Sequence, residues 1–200
     1  DPRIGDARMC GTTASLCGIE RYGFEQDEAG VDRSIRYDIT LHAFMLSQSG
    51  IPVIYSGDEI GQLNDYSYKN DPEKAADSRY LHRGNFPWDL AENRSNPDTV
   101  QGKLFPALSR LEELRRSHSV FDARTPFWTI DTWDASILSL VRENETEKLV
   151  CIYNFSEYDK VAWINEDDGL YEDLFTGRTL EAKGVQIPAF GFYWLLRKKR

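Results

Sequence analysis

The sequence predicts an α+β chain: a helical part containing one buried strand, followed by a small antiparallel β-sandwich. Two observations carry this. Apolar residues recur at helical spacing up to about Phe121–Pro126, and beyond that point short alternating runs are separated by turn residues. A third is composition: 40% hydrophobic residues, with ten Phe, ten Tyr and five Trp in 200, supply a real core and exclude a disordered chain. The division expected is a first domain over residues 1–122 and an all-β domain over 123–200.

The first helix is predicted from about Val31 to Gln48. Val31, Ile35, Ile39, His42, Ala43 and Leu46 form its apolar stripe, and Leu41, Phe44 and Met45 widen it. His42 on that stripe reads as a satisfied core histidine. Ser49-Gly50 stops the helix, because glycine readily takes the left-handed conformation that ends helices. The apolar run Ile51–Tyr55 then reads as a strand covered on both faces, as in a parallel sheet.

From Asp58 to about Pro97 the chain is polar and aperiodic, and so long a loop in a compact domain is more often functional than idle. A second helix follows, with Leu104, Leu108, Leu111 and Leu114 inward and Arg110, Glu112, Glu113, Arg115 and Arg116 largely outward. Pro106 is expected in its first turn, with 98–103 as a separate preceding turn. At least six strands are expected afterwards: Trp128–Ile130, Ile137–Val141, Leu149–Phe155, Val161–Ile164, Leu170–Phe175 and Phe190–Leu196. Turns at Glu143-Asn144-Glu145, Asp167-Asp168-Gly169, Thr176-Gly177 and Lys183-Gly184 separate them. In the last strand Phe190, Phe192, Trp194 and Leu196 alternate to give one apolar face.

The net charge of −9 opposes binding to phosphate backbones or anionic lipid, so neither nucleic acid nor membrane is an expected partner. No apolar run approaches the roughly 20 residues of a membrane span. Cys10, Cys17 and Cys151 have no metal-ligand spacing and read as reduced, buried thiols. The chain opens on Asp1, so an N-terminal part is expected to be missing, and the compartment stays open with the cytoplasm as the expectation.

No nucleophile elbow, phosphate loop, zinc or dinucleotide motif is present, and no cofactor or metal is expected. Glycoside hydrolysis needs two carboxyl groups facing one bond, roughly 5–9 Å apart. Asp58 and Glu59 are adjacent, and neighbours on an extended segment point to opposite faces. They read as bonding the loop backbone unless the loop turns sharply between them. Asp65, Asp71, Glu73 and Asp77 could gather Ca²⁺ but lack an ordered ligand spacing, which favours a solvated acidic loop. Arg79 has two readings. Its guanidinium can clamp a carboxylate at the floor of a polar pocket, or it is a loop arginine paired with Asp77 or Asp89. No catalytic residue is assigned, and Arg79 with Asp77 are the candidate substrate-binding residues.

The run from Ile51 to Gly61 resembles the eighth barrel strand of the α-amylase superfamily (glycoside hydrolase family 13). Gly5-Asp6-Ala7-Arg8 with Gly11-Thr12-Thr13-Ala14, and the run Asp77–Arg83, resemble the amylosucrase and sucrose-hydrolase branch. Asn96-Pro97-Asp98-Thr99 with the helix after it is similar to the eighth barrel helix. Leu149–Glu157 and Asp173–Gly177 resemble the superfamily's C-terminal sandwich. Gly84–Asp89 departs from the branch's Pro-rich loop ending. The resemblance implies the C-terminal piece of a (β/α)8 TIM barrel with its sandwich, from a retaining α-glucosidase or glucosyltransferase. It places the nucleophilic Asp, the acid/base Glu and the third Asp ahead of Asp1, so the chain alone is expected to be inactive. Arg79 would then hold an Asp of the missing barrel half, which is the expected partner together with the sugar, and a bare strand edge would favour dimers. A second expectation is a non-catalytic carbohydrate-binding sandwich using Trp133, Tyr158 or Trp163, although core packing or cover of the barrel is favoured for these aromatics. A third is a purely structural accessory domain.

Overall fold

The computed structural model describes residues 10–164 and 169–199; the Gly5–Arg8 motif and the turn acids Asp167 and Asp168 lie outside them. The described residues form an α+β structure of two compact units, one built from residues up to 38 with 54–106, the other from 39–53 with those from 107 onward. This grouping cuts the chain differently from a single boundary near residue 122. The two long helices each contribute one end to either unit.

In the first unit, Thr12 caps helix α1 (Thr13–Cys17) by accepting from the Ser15 N–H, and α2 (Ile19–Phe24) follows directly. These short helices are too brief to show an apolar period. The Asp27 carboxylate accepts from the Gly30 N–H at 2.9 Å and so caps α3 (Glu28–Ser47). Gly50 follows at φ 91°, as the Ser49-Gly50 stop requires.

Residues 51–55 correct the sequence reading. No strand forms there, and Ile51, Val53 and Tyr55 are 87%, 76% and 51% exposed. A strand exists only through ladder bonds to neighbours, and the two sheets of the described residues contain no partner for this segment.

The expected aperiodic loop is a chain of turns. Short 3-10 turns at Asp58–Ile60, Tyr66–Asn70, Ser78–His82 and Glu92–Ser95 surround helix α4 (Trp88–Ala91). Helix α5 runs over Val100–Ser117, so residues 100–103 belong to it and Pro106 is its seventh residue, not part of its first turn. The start is set by Thr99, whose hydroxyl accepts from the Gly102 N–H at 3.0 Å, a cap read poorly when the proline is taken as the marker. Leu104, Leu108, Leu111 and Leu114 are buried as expected. Arg115 is not outward: it donates to the carbonyls of Leu46, Gln48 and Gly50.

The second unit holds a six-stranded antiparallel sheet in the order β1-β2-β3-β8-β5-β6 and a two-stranded sheet β4-β7. The strands are β1 Phe127–Ile130, β2 Ile137–Glu143, β3 Glu147–Asn154, β4 Lys160–Ala162, β5 Leu170–Asp173, β6 Thr179–Glu181, β7 Val185–Ile187 and β8 Phe192–Lys198. One core joins the last turns of α3 and α5 to the sheet through Leu108, Leu111, Tyr153 and Trp194; another joins the sheet to β4-β7 through Val150, Ile152, Ile164 and Leu195. Strand β8 is therefore apolar on both faces, not one, because Trp194 and Leu196 pack in the core with the helices while Leu195 packs in the core with β4-β7. The Trp194 indole N–H donates to the Tyr153 hydroxyl at 2.9 Å, which satisfies both buried polar groups.

Where this unit begins its first strands, Glu147 is 8% exposed and accepts from the Val120 N–H and the Ser119 hydroxyl, both at 2.9 Å, with His118 Nδ1 at 3.1 Å from its other oxygen. Burial pushes its carboxyl up, but these hydrogen bonds outweigh burial and leave it below its ordinary 4.5. A depressed carboxyl contributes stability that is present above that ordinary value and lost as pH falls through the lower folded one. Acid unfolding followed by fluorescence is expected to show a steeper loss below about pH 4.5 for the native chain than for Glu147→Gln.

Candidate functional site

The candidate residues lie in the first unit, on the turns after Gly57. Gly57 donates its N–H to Glu59 Oε2 at 2.8 Å, so Glu59 bonds loop backbone as the adjacency of the two acids suggests. Gln62 donates to the carbonyls of Gly84 and Asn85, and the Asp65 N–H to that of Leu81 at 2.8 Å, folding the loop back on itself. The loop acids are used locally. Asp65, Asp71 and Asp77 each accept from the backbone N–H two residues on, of Ser67, Glu73 and Arg79. Each carboxylate thereby fixes a turn instead of converging on a common point.

Asp77 and Arg79 come together. Nε of Arg79 lies 2.8 Å from Oδ1 and Nη2 lies 2.6 Å from Oδ2 of Asp77, a two-pronged contact. Hydrogen bonds from the Arg79 side chain and then from its backbone N–H hold the Asp77 carboxyl well below the usual carboxylate range. Arg79 is thus paired with Asp77 and not with Asp89. Its side chain remains 45% exposed against 24% for Asp77, so the pair presents a charged edge to its surroundings.

Two neighbours were not singled out by residue type. The Ser78 hydroxyl lies 3.5 Å from Cys10 Sγ, tying the arginine turn to the residues ahead of α1. Cys10 is only half-buried, unlike Cys17 and Cys151. Cys151 behaves as the buried thiol expected, and burial pushes it up to about 12. The His82 ring meets Tyr55 edge-on at 6.0 Å. No local spacing signals either contact, since the partners are 27 and 68 positions apart. His42 is buried in α3 at 4% exposure. Trp133, Tyr158 and Trp163 are 72%, 68% and 57% exposed and lie on the surface of the second unit, not in its core.

No protein-family model matches the chain. It is 31% identical over 134 residues to glucosylglycerate phosphorylase of Escherichia coli, a match covering 66% of this chain and 23% of that protein. The chain therefore spans about a quarter of that relative's length. Among solved structures it is similar to AmyP in complex with maltose, with a TM-score of 0.64, 19% identity, and coverage of 82% of this chain and 35% of that one. It is also similar to the maltogenic amylase of S. marinus, with a TM-score of 0.54, 21% identity, and coverage of 80% and 19%. The trehalose-6-phosphate hydrolase of Bacillus licheniformis matches with a TM-score of 0.59 at 16% identity, over 86% and 40%. At 16–21% identity these structures show that the chain shares its fold with part of each of them.

Proposed function

We propose that the chain is the C-terminal portion of an amylosucrase-like enzyme, acting on sucrose or a related α-glucoside with retention. The observation that carries this reading is the identity to a glucoside-processing enzyme over two thirds of the chain, on a fold shared with amylases. The geometry adds a prepared guanidinium. Asp77 fixes the plane of Arg79, and the exposed edge of that cation suits a carboxylate of the barrel part this chain does not contain. The bare run Ile51–Tyr55 would pair there with barrel strands, or with a second copy in their absence.

In the complete enzyme an aspartate carboxylate attacks the anomeric carbon, and the glycosidic C–O bond breaks. The leaving oxygen takes the proton of a glutamic acid. The glutamate then removes a proton from water or a sugar hydroxyl, whose oxygen displaces the aspartate and restores both acids. Arg79 binds and orients without touching the bonds that change.

The test compares the 200-residue chain with the protein of the complete coding sequence. The complete protein is expected to release fructose from sucrose, and the chain alone to release none above background. Arg79→Lys in the complete protein is expected to cost about 10²-fold in kcat/KM, because a point charge cannot keep the two-pronged contact. A phosphate requirement with release of glucose 1-phosphate would favour a phosphorylase, the reading suggested by the relative's name. Turnover by the chain alone would overturn the placement of the acids elsewhere.

A further inference from the structure

Asn64 stands in the loop that leads from Gly57 toward Arg79, and its hydrogen bonds run back to the starts of two helices. Its Oδ1 accepts from the Thr12 N–H at 2.9 Å, at the cap of α1. Its Nδ2 donates to Glu20 Oε2 at 3.0 Å, in the first turn of α2. Its backbone N–H donates to the Ser15 hydroxyl at 3.1 Å. The Tyr66 hydroxyl lies 3.3 Å from the same Glu20 oxygen and supplies a second donor to it. A backbone N–H only donates and a carboxylate only accepts, so the Asn64 amide fits one way round.

The next residue carries this hold across to the arginine. The Asp65 N–H donates to the Leu81 carbonyl at 2.8 Å, within the turn Ser78–His82. Gly84, just past that turn, lies so close to Asp65 that a Cβ on it would stand 2.9 Å from the Asp65 Cβ. On its other side the turn meets the chain ahead of α1, where Ser78 touches Cys10. Two routes therefore join the Arg79 turn to the start of α1: Ser78 to Cys10, and Leu81 through Asp65 and Asn64 to Thr12. Asp77 cannot replace them. It is part of the same turn, so it fixes the plane of the guanidinium but not where the turn stands.

We propose that Asn64 is a positioning residue for Arg79, setting where the arginine turn stands relative to the chain that enters α1. Its service to substrate binding rests on the function proposed above, in which that chain leads back to the barrel part bearing the carboxylate for Arg79. A displacement of about 1 Å in such a contact can cost about 10²-fold in rate, so one amide has a large effect without touching a reacting atom.

The test exchanges donor and acceptor. Asn64→Asp keeps the oxygen that meets Thr12 but sets a carboxylate against Glu20, and like charges repel. Adding Glu20→Gln restores the contact, with the donor now on residue 20. In the 200-residue chain, amide hydrogen exchange in Asn64→Asp is expected to be about fivefold faster over residues 77–83 and unchanged over 108–114 of α5. The double variant should return to the native pattern. In the complete protein, Asn64→Asp should lower kcat/KM about tenfold on whichever α-glucoside it turns over, and Glu20→Gln should recover most of that loss. In an Arg79→Lys background the same change should cost less than about twofold, because the group it places is already impaired.

Exchange that did not rise over 77–83, or that rose equally over 108–114, would overturn the inference whatever the protein acts on. So would a tenfold loss that persisted in the Arg79→Lys background, which would make Asn64 a support of the fold alone. A complete protein inactive on every α-glucoside would overturn the proposed function instead, and the exchange pattern would still decide whether Asn64 places the turn.

Discussion

Replacing Arg142 with alanine is expected to lower stability by about 3–5 kcal/mol, because it strips several buried backbone carbonyls of their donors. Arg142 lies on β2 with no exposed surface. One nitrogen donates to the carbonyls of Ser47 and Gln48 at 2.8 and 2.9 Å, the other to those of Asp122 and Thr125 at 2.7 and 3.1 Å. Ser47 is the last residue of α3, so two of these acceptors belong to a helix end that has no partners of its own. The negative end of the helix dipole favours a cation there. Burial, and then the nearby Arg115, pull the Arg142 guanidinium down from its ordinary value, which is the electrostatic cost of holding it there.

Removing the side chain leaves several buried carbonyls without donors, at about 1–3 kcal/mol each where water does not reach them. Arg142→Lys should recover only part of the loss, because one ammonium cannot span both pairs. Urea unfolding read by the buried Trp194 measures this as a lower midpoint at unchanged slope. A midpoint for Arg142→Ala equal to that of the native chain would show that water or rearranged backbone replaces the arginine.

Arg142 also shows what a sequence hides. An arginine inside an apolar run reads as a strand's solvent face, and only the convergence of residues 47, 48, 122 and 125 turns it into a core element. Patterns held within a few residues were legible. The stripe of α3, its stop at Gly50, the leucines of α5 and the long strands β2, β3 and β8 all follow from local period and turn chemistry. Strands β6 and β7, three residues each, were missed because so short a run shows little alternation, and β4, equally short, was read only within the longer apolar run Val161–Ile164.

The run Ile51–Tyr55 has every local mark of a buried strand, yet burial depends on partners that composition cannot supply. For the candidate site, the Asp77–Arg79 pair was within reach because its members are two residues apart. The contacts of Ser78 with Cys10 and of His82 with Tyr55 were not.

Gly102→Ala is the second large effect. A Cβ at this position would stand 1.7 Å from the carbonyl oxygen of Asn96 and 2.4 Å from its carbon. Both are backbone atoms, so no side-chain rotation relieves the clash. The Asn96 region cannot easily move either. Its carbonyl accepts from the Thr99 hydroxyl at 2.8 Å, and its side chain accepts from the Asp98 N–H at 3.1 Å. Shifting it would break the cap in which Thr99 accepts from Gly102, and with it the first turn of α5.

The next turn has little reserve, because Pro106 lacks the N–H that would bond the Gly102 carbonyl and already weakens the helix there. Elsewhere in an exposed helix, glycine to alanine stabilises by up to about 1 kcal/mol. Here the sign should reverse, with a loss of about 2–3 kcal/mol from strain and the broken cap together. Thr99→Ala removes only the cap and should cost about 1 kcal/mol. Urea midpoints for the two single variants and the double would separate the terms. If the clash acts by displacing the cap, the double variant loses less than the sum of the singles. Full additivity would place the strain of Gly102→Ala in the Asn96 turn alone, with the Thr99 cap left intact.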